Sequence, residues 1–453
     1  MTATLAARLA GRPGEDRLLQ APDGALTVAE ALAAGPSALV TPGACVGLAM
    51  QNARTLAAAL VALDGQVAAL LLLPAAADAA LVARLMAEAG ATLLVSDRAD
   101  LPGALAPAAA LAPGTRAAGG VATDWLMTSS GTTGAPKVVR HALAGLSRTV
   151  RTAPVRPLPG LPLPGLPLPV WGLLFDMTRF AGLQVALQAM LGNGVLAVPE
   201  AGAPIGRQLA FLAAAGCTHL SASPSLWRRI LMHPDAGALG LVQATLGGEI
   251  ADQAILDALV RAYPAARVTH IYASTEAGVG FAVNDRQAGF PAAWLQAPPA
   301  DVGLKLADGL LWLRLPGQPP RCLGEAAPAV DEAGFVCSHD RVRIEGGRVL
   351  FLGRAGGGVN IGGTKVFPEQ VEQLLLALPE VAAAQVVARP SPIMGNLLAA
   401  RVVPKDAGCD QAALKALILA RCRAALPREA VPASLSFAAE LATTAAGKIA
   451  RAG

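Results

Sequence analysis

Met127-Thr-Ser-Ser-Gly-Thr-Thr-Gly-Ala-Pro-Lys137 packs five hydroxyls and two glycines into a run closed by a lysine. Gly131 and Gly134 let backbone N–H groups approach an anion closely. Thr128, Ser129, Ser130, Thr132 and Thr133 add hydroxyl donors, and Lys137 adds positive charge. That chemistry suits a polyphosphate, so ATP is the first ligand to consider. Ser/Thr/Gly runs also form ordinary solvated turns. A Walker A loop is a poorer match, because its lysine follows glycine and precedes a magnesium-binding Ser or Thr. Here Pro136 precedes Lys137 and Val138 follows it.

Working outward, Trp125–Thr128 reads as a strand feeding the loop. Lys137–Val150 reads as the helix after it, which would aim a helix N-terminus at the phosphates. Upstream, Cys45–Met50, Leu81–Ala89 ending at Gly90, and Ala91–Ser96 follow a strand, helix, strand order. Downstream, the helix Leu209–Ala215, the strand Cys217–Ser221, a helix from Pro224, the strand Leu241–Leu246, the helix Ala251–Ala262 and the strand Arg267–Tyr272 continue it. Loops after such strands face one crevice. The Pro-Leu-Pro-Gly repeat from Pro154 to Val170 can form neither helix nor central strand and reads as a surface connector.

After Asp301 the pattern turns antiparallel, with Arg341–Glu345 and Arg348–Gly353 flanking the hairpin pair Gly346-Gly347. Behind the glycine-rich joint from Ala355 to Gly358, the helix Phe367–Leu378 sets Val371, Leu374, Leu375 and Leu378 on one face. The strands Val381–Arg389 and Leu397–Pro404 and the helix Gln411–Ala425 complete a compact unit. The expected fold is α/β: a large N-terminal domain (1–354) of doubly wound sheets with a β-barrel-like subdomain, then a small mobile α+β domain (355–453).

Composition agrees with this class. A 54% hydrophobic fraction over 453 residues can fill more than one core, and the weight on alanine and leucine suits helices packed on sheets. The net charge of +4 comes from dispersed residues without aromatic interleaving, so nothing marks a nucleic-acid surface. The most apolar stretch, Ala57 to Leu73, is broken by Asp64, Gly65 and Gln66 and ends at Pro74, short of a membrane span. The N-terminus carries no export pattern, making a cytoplasmic enzyme the default. Six cysteines without a Cys-x-x-Cys pair read as buried thiols, and five histidines show no metal spacing.

Five further segments carry chemistry: Leu246-Gly247-Gly248-Glu249, Tyr272-Ala-Ser-Thr275-Glu276, Ser338-His-Asp340 with Gly353-Arg354, Asn360-Ile-Gly-Gly363-Thr-Lys365, and Leu441-Ala-Thr-Thr-Ala-Ala-Gly-Lys448-Ile-Ala-Arg451. Together with the opening loop, and in the same order, they resemble the motifs of the adenylate-forming superfamily. Its members are acyl-CoA and aryl-CoA synthetases, nonribosomal peptide adenylation domains and luciferases. The resemblance covers about Thr123 to Arg451 and implies roles position by position. Gly247, Gly248 and Glu249 would form the adenine-side loop, and Tyr272 would stack on adenine. Thr275 would touch the α-phosphate, and Glu276 would hold Mg2+, as a hard oxygen ligand can. Asp340 and Arg354 would grip the ribose hydroxyls. Gly363 would line a thiol tunnel, with Lys365 where relatives often carry arginine. Lys448 would be the catalytic lysine, its ammonium stabilising the anionic transition state.

The implied reaction joins a carboxylic acid to AMP with release of pyrophosphate and then passes the acyl group to a thiol. Coenzyme A is the first choice of thiol, and a separate carrier protein's phosphopantetheine is the alternative. Phe175, Arg179, Gly182 and Gly247 fall in the acyl-pocket region. Arg179 is read as meeting the far-end oxygen of a small aromatic or short polar acid, beside a plain surface ion pair as the other reading. The chain departs from the pattern at Ser338-His339 for Thr-Gly, at Ala442 and Ala446 near the lysine, and at the hinge, where three glycines replace the usual aspartate or lysine. A non-catalytic nucleotide binder and a serine hydrolase remain as rival classes.

Overall fold

A computed structural model describes residues 4–116, 120–129, 137–152, 168–299, 301–317, 321–323, 329–391 and 394–442. Two mostly parallel sheets form the large N-terminal part. In the first, the parallel strands Leu93–Ser96, Cys45–Ala49, Ala69–Leu72 and Asp124–Thr128 lie side by side. Val138–Ala142 then folds back antiparallel on Asp124–Thr128. The crossover helices are capped where the sequence supplies caps. Asn52 Oδ1 accepts from Thr55 N–H at the start of Ala53–Leu63, and Asp78 Oδ1 does the same for Leu81 N–H before Ala79–Ala89. Gly90 closes the second helix in a left-handed conformation, φ 63°.

The second sheet runs in parallel from Arg267–Ser274 through Gln243–Gly247, His219–Ala222, Val170–Leu173 and Val195–Ala197 to Arg17–Ala21. Antiparallel strands Gly278–Val283 and Gly24–Thr27 finish its two edges. One apolar core joins both sheets, and the helix Ala53–Leu63 buries seven of its residues there. The polar break at Asp64 is a buried tie: its carboxylate accepts from Leu5 N–H at 2.7 Å and from Trp125 Nε1–H at 2.9 Å. Among the described residues no helix is long and apolar enough to cross a membrane.

A five-stranded antiparallel sheet, half-barrel-like, follows, ordered Phe290–Pro291, Arg348–Arg354, Val336–Glu345, Leu310–Arg314 and Gly303–Ala307. Gly346 (φ 56°) and Gly347 (φ 73°) make its tight hairpin, both in the left-handed region such a turn requires. The smaller C-terminal α+β part packs the helices Pro368–Leu376 and Gln411–Ala425 on the sheet Val381–Ser391, Gly395–Pro404, Ser434–Phe437 around its own core.

One expectation fails. Residues 137–150 do not form a helix: Val138–Ala142 is a strand, followed by one helical turn at Leu143–Leu146. Paired β-branched Val138 and Val139 and the alternating burial of Val139, Arg140, His141 and Ala142 favour the hairpin, and no helix N-terminus faces the loop from this segment. The Pro-Leu-Pro-Gly repeat falls almost wholly outside the described residues.

Candidate active site

The hairpin that replaces the expected helix forms the neck of the hydroxyl-rich loop. Thr128 pairs with Val138, and Ser129 N–H donates to the Lys137 carbonyl at 2.8 Å. Thr128 and Ser129 are buried at this neck, and Ser129 Oγ has no partner among the described residues. Ser130, Gly131, Thr132, Thr133 and Gly134 lie outside the described residues, as does Lys448.

The parallel pairing of Gln243–Gly247 with Arg267–Ser274 sets the Gly247-Gly248-Glu249 loop beside Tyr272. Gly248 adopts φ 82°, and Glu249 Oε2 accepts Ser225 N–H at 2.9 Å. A Cβ on Gly247 would meet only the Ile271 carbonyl, at 4.0 Å, so that glycine borders open space. Thr275 and Glu276 follow directly. The thiol of Cys322, held above its ordinary range first by burial, also feels Glu276 in the same direction and Lys137 against it. Among the described residues no three His, Cys, Asp or Glu gather as a metal cage. Magnesium held by one carboxylate together with substrate phosphates needs none, and Glu276 offers that donor.

Asp340 and Arg354 are cross-strand partners, with Arg354 Nε 2.9 Å from Asp340 Oδ1. The Tyr272 hydroxyl donates to the other carboxylate oxygen, Oδ2. Burial raises the Asp340 pKa, while Arg354, Tyr272 and His339 oppose it and Glu276 adds to it. His339 sits at φ 59°, where the resembled pattern has glycine. Histidine is among the few larger residues that tolerate that region, so the departure preserves the bend before Asp340. Ser338 Oγ accepts the Asp340 N–H at 3.1 Å and donates to the Leu311 carbonyl at 2.6 Å.

The sequence reading missed three participants. Phe281 and Phe351 stack on the Tyr272 ring, with centroids 5.2 and 5.0 Å away and planes 16° and 7° apart. Phe281 could have been found as the cross-strand partner of Tyr272; Phe351 comes from a distant hairpin. His141 is buried under Thr275 with its Nε2 unpartnered among the described residues and its ring 5.6 Å from Phe180.

In the acyl region Phe175 is half-buried against the main core. Arg179 Nη1 donates to Thr128 Oγ1 at 2.9 Å and to its carbonyl at 3.2 Å, reaching the neck of the loop. Gly182 is a packing position, since a Cβ there would come within 2.1 Å of the Asp176 carbonyl. In the C-terminal part Gly363 (φ 90°) and Lys365 are exposed, with Lys365 Nζ 5.9 Å from the Phe367 ring centroid.

Family models match most of this framework. Residues 23–310 fit the AMP-binding enzyme model and 370–448 its C-terminal domain model. The fold is similar to the crystal structure of the anthranilate CoA ligase AuaEII in complex with anthranoyl-AMP, at TM-score 0.79 and 18% identity, covering 98% of this chain and 95% of that one. In sequence, 244 residues are 32% identical to the isonitrile lipopeptide synthase of Streptomyces coeruleorubidus, and 126 residues are 33% identical to the 2,3-dihydroxybenzoate-AMP ligase of Bacillus subtilis (strain 168). Those matches cover 50% and 28% of this chain, and only 16% and 23% of the relatives' own lengths. The chain thus belongs to the AMP-binding enzyme family, within the adenylate-forming superfamily that its ordered motifs resemble.

Proposed function

We propose that the protein activates a carboxylic acid with ATP, forming an acyl-adenylate and pyrophosphate, and then transfers the acyl group to the thiol of coenzyme A. The observation that supports this reading is the set of contacts that joins Tyr272, on the strand leading to Thr275 and Glu276, to the Asp340–Arg354 pair. A carboxylate oxygen attacks the α-phosphorus while the bond from that phosphorus to the bridging oxygen breaks, and pyrophosphate leaves. Both partners are anionic, so positive charge must offset their repulsion. Lys137 lies at the loop and Lys448 is assigned to the reacting phosphate. Magnesium, held through Glu276, would supply charge neutralisation on the phosphates. Asp340 and Arg354 fix the ribose, and Thr275 faces the α-phosphate.

The proposed core, 1–354, and lid, 355–453, would meet at the turn Ala355–Gly357. Rotation there would exchange Lys448 for the Gly363 side, where the thiol enters. A small aromatic acid is favoured by the likeness to an anthranilate CoA ligase and a 2,3-dihydroxybenzoate-AMP ligase. A carrier-protein thiol is the second reading, favoured by the match of half this chain to a small part of a much longer lipopeptide synthase.

The test is acid-dependent exchange of labelled pyrophosphate into ATP across a panel of aryl and short polar acids. Lys448→Ala is expected to lower exchange by about 100- to 1,000-fold, the scale of losing a preorganised charge at a transition state. Exchange that ignores the acid, or a variant as active as the parent, rules the reading out.

A further inference from the structure

We infer that Tyr272 is a positioning residue for ribose recognition, acting through its hydroxyl on Asp340. The inference rests on the proposed nucleotide site and adds to it a part that an adenine-stacking aromatic would not play.

The geometry is a closed chain of contacts. The Tyr272 ring stacks with two near-parallel phenylalanines, Phe281 from the neighbouring strand and Phe351 from the antiparallel sheet. Phe290 packs on both of them, at 4.8 and 6.0 Å between centroids. A ring held this way has little freedom, so the position of its hydroxyl oxygen is set by the scaffold. That hydroxyl donates to Asp340 Oδ2. Burial and the adjacent carboxylate hold the Tyr272 phenol well above its ordinary range, leaving it a donor at every physiological pH.

An ionised carboxylate offers about four acceptor directions across its two oxygens. Tyr272 takes one on Oδ2 and Arg354 takes one on Oδ1. About two remain, one on each oxygen, and a ribose presents two adjacent hydroxyl donors. The tyrosine and the arginine therefore orient the carboxylate as a fork for a cis-diol. Arg354 comes from the strand that leads into the glycine joint, while Tyr272 comes from the rigid parallel sheet. Tyr272 is then the part of the fork that stays fixed when the joint turns.

The experiment is nucleotide binding by titration calorimetry on the full chain, without acid, comparing ATP with 2′-deoxy-ATP. A hydroxyl bonded to a buried carboxylate should give the parent about a 10- to 100-fold preference for ATP. Tyr272→Phe keeps the ring stack and removes the donor. It is expected to weaken ATP binding several-fold and to compress the ATP preference to within about three-fold, with the thermal midpoint close to that of the parent. In an Asp340→Asn background the same change should add nothing.

Full preference retained in Tyr272→Phe, or an equal effect of Tyr272→Phe in the Asp340→Asn background, overturns the inference. A parent that binds neither nucleotide overturns it together with the nucleotide site. A parent that discriminates through Tyr272 yet exchanges pyrophosphate with no acid leaves this inference standing and removes the proposed activity, so the two failures are distinguishable.

Discussion

At the residue scale Arg179 braces the neck of the loop. As a sequence position it offered a cation to the far end of the acid; in the fold its guanidinium reaches Thr128, and burial lowers its pKa with Asp176 opposing. Two hydrogen bonds from one half-buried arginine brace the residue that begins the phosphate loop. Arg179→Ala is accordingly expected to raise the KM for ATP about ten-fold, the scale of losing a charged hydrogen bond, while the ranking of acids stays unchanged. Initial-rate exchange kinetics with ATP and two acids varied separately would read both, and a reordered acid preference would return Arg179 to the acyl pocket. Asp340, Glu276 and Lys137 stand out in the sequence because their types and order match motifs whose chemistry demands them. Phe351 and His141 do not, because each reaches the site through register between segments far apart in sequence.

Elements show where local pattern suffices and where it misleads. Helices with a polar cap and a regular apolar face, such as Ala79–Ala89 and Gln411–Ala425, were readable because cap and periodicity agree. Residues 137–150 were misread because a short strand followed by one helical turn mimics helical spacing, and only pairing with Asp124–Thr128 decides. The run from Ala57 to Leu73 illustrates the same dependence, since its polar break looked like a simple interruption. Asp64 there joins the first helix, Leu5–Leu9, to the strand that feeds the loop. Asp64→Ala would orphan the Leu5 N–H and the Trp125 indole N–H in a dry core. The expected cost is about 2–4 kcal/mol, one or two unsatisfied buried donors beyond the lost bonds. Urea unfolding followed by fluorescence measures it, and a change under about 0.5 kcal/mol would mean that water or a neighbour takes over.

At the scale of the whole molecule, three histidines, His141 and His270 buried and His219 half-buried, link the large N-terminal part to acid stability. Burial pushes His141 and His219 down to about 4, and lowers His270 as well. A depressed histidine pKa means that the unfolded chain, titrating near 6.5, takes up protons more readily than the fold does. Stability is then complete above pH 6.5 and is lost as pH falls toward 4. Asp64 and Asp340 have raised values and act in the opposite sense, favouring the fold as they take up protons near the acid end of that window. For His141, which is 6% exposed, the loss by pH 5 amounts to about 2 kcal/mol. All five tryptophans, Trp125, Trp171, Trp227, Trp294 and Trp312, lie in the large N-terminal part, so their fluorescence isolates its unfolding. Urea midpoints at pH 7 and pH 5 should therefore separate for the parent and draw together in His141→Gln, which cannot take up the proton. An identical pH dependence in both would place the acid sensitivity of the N-terminal part elsewhere.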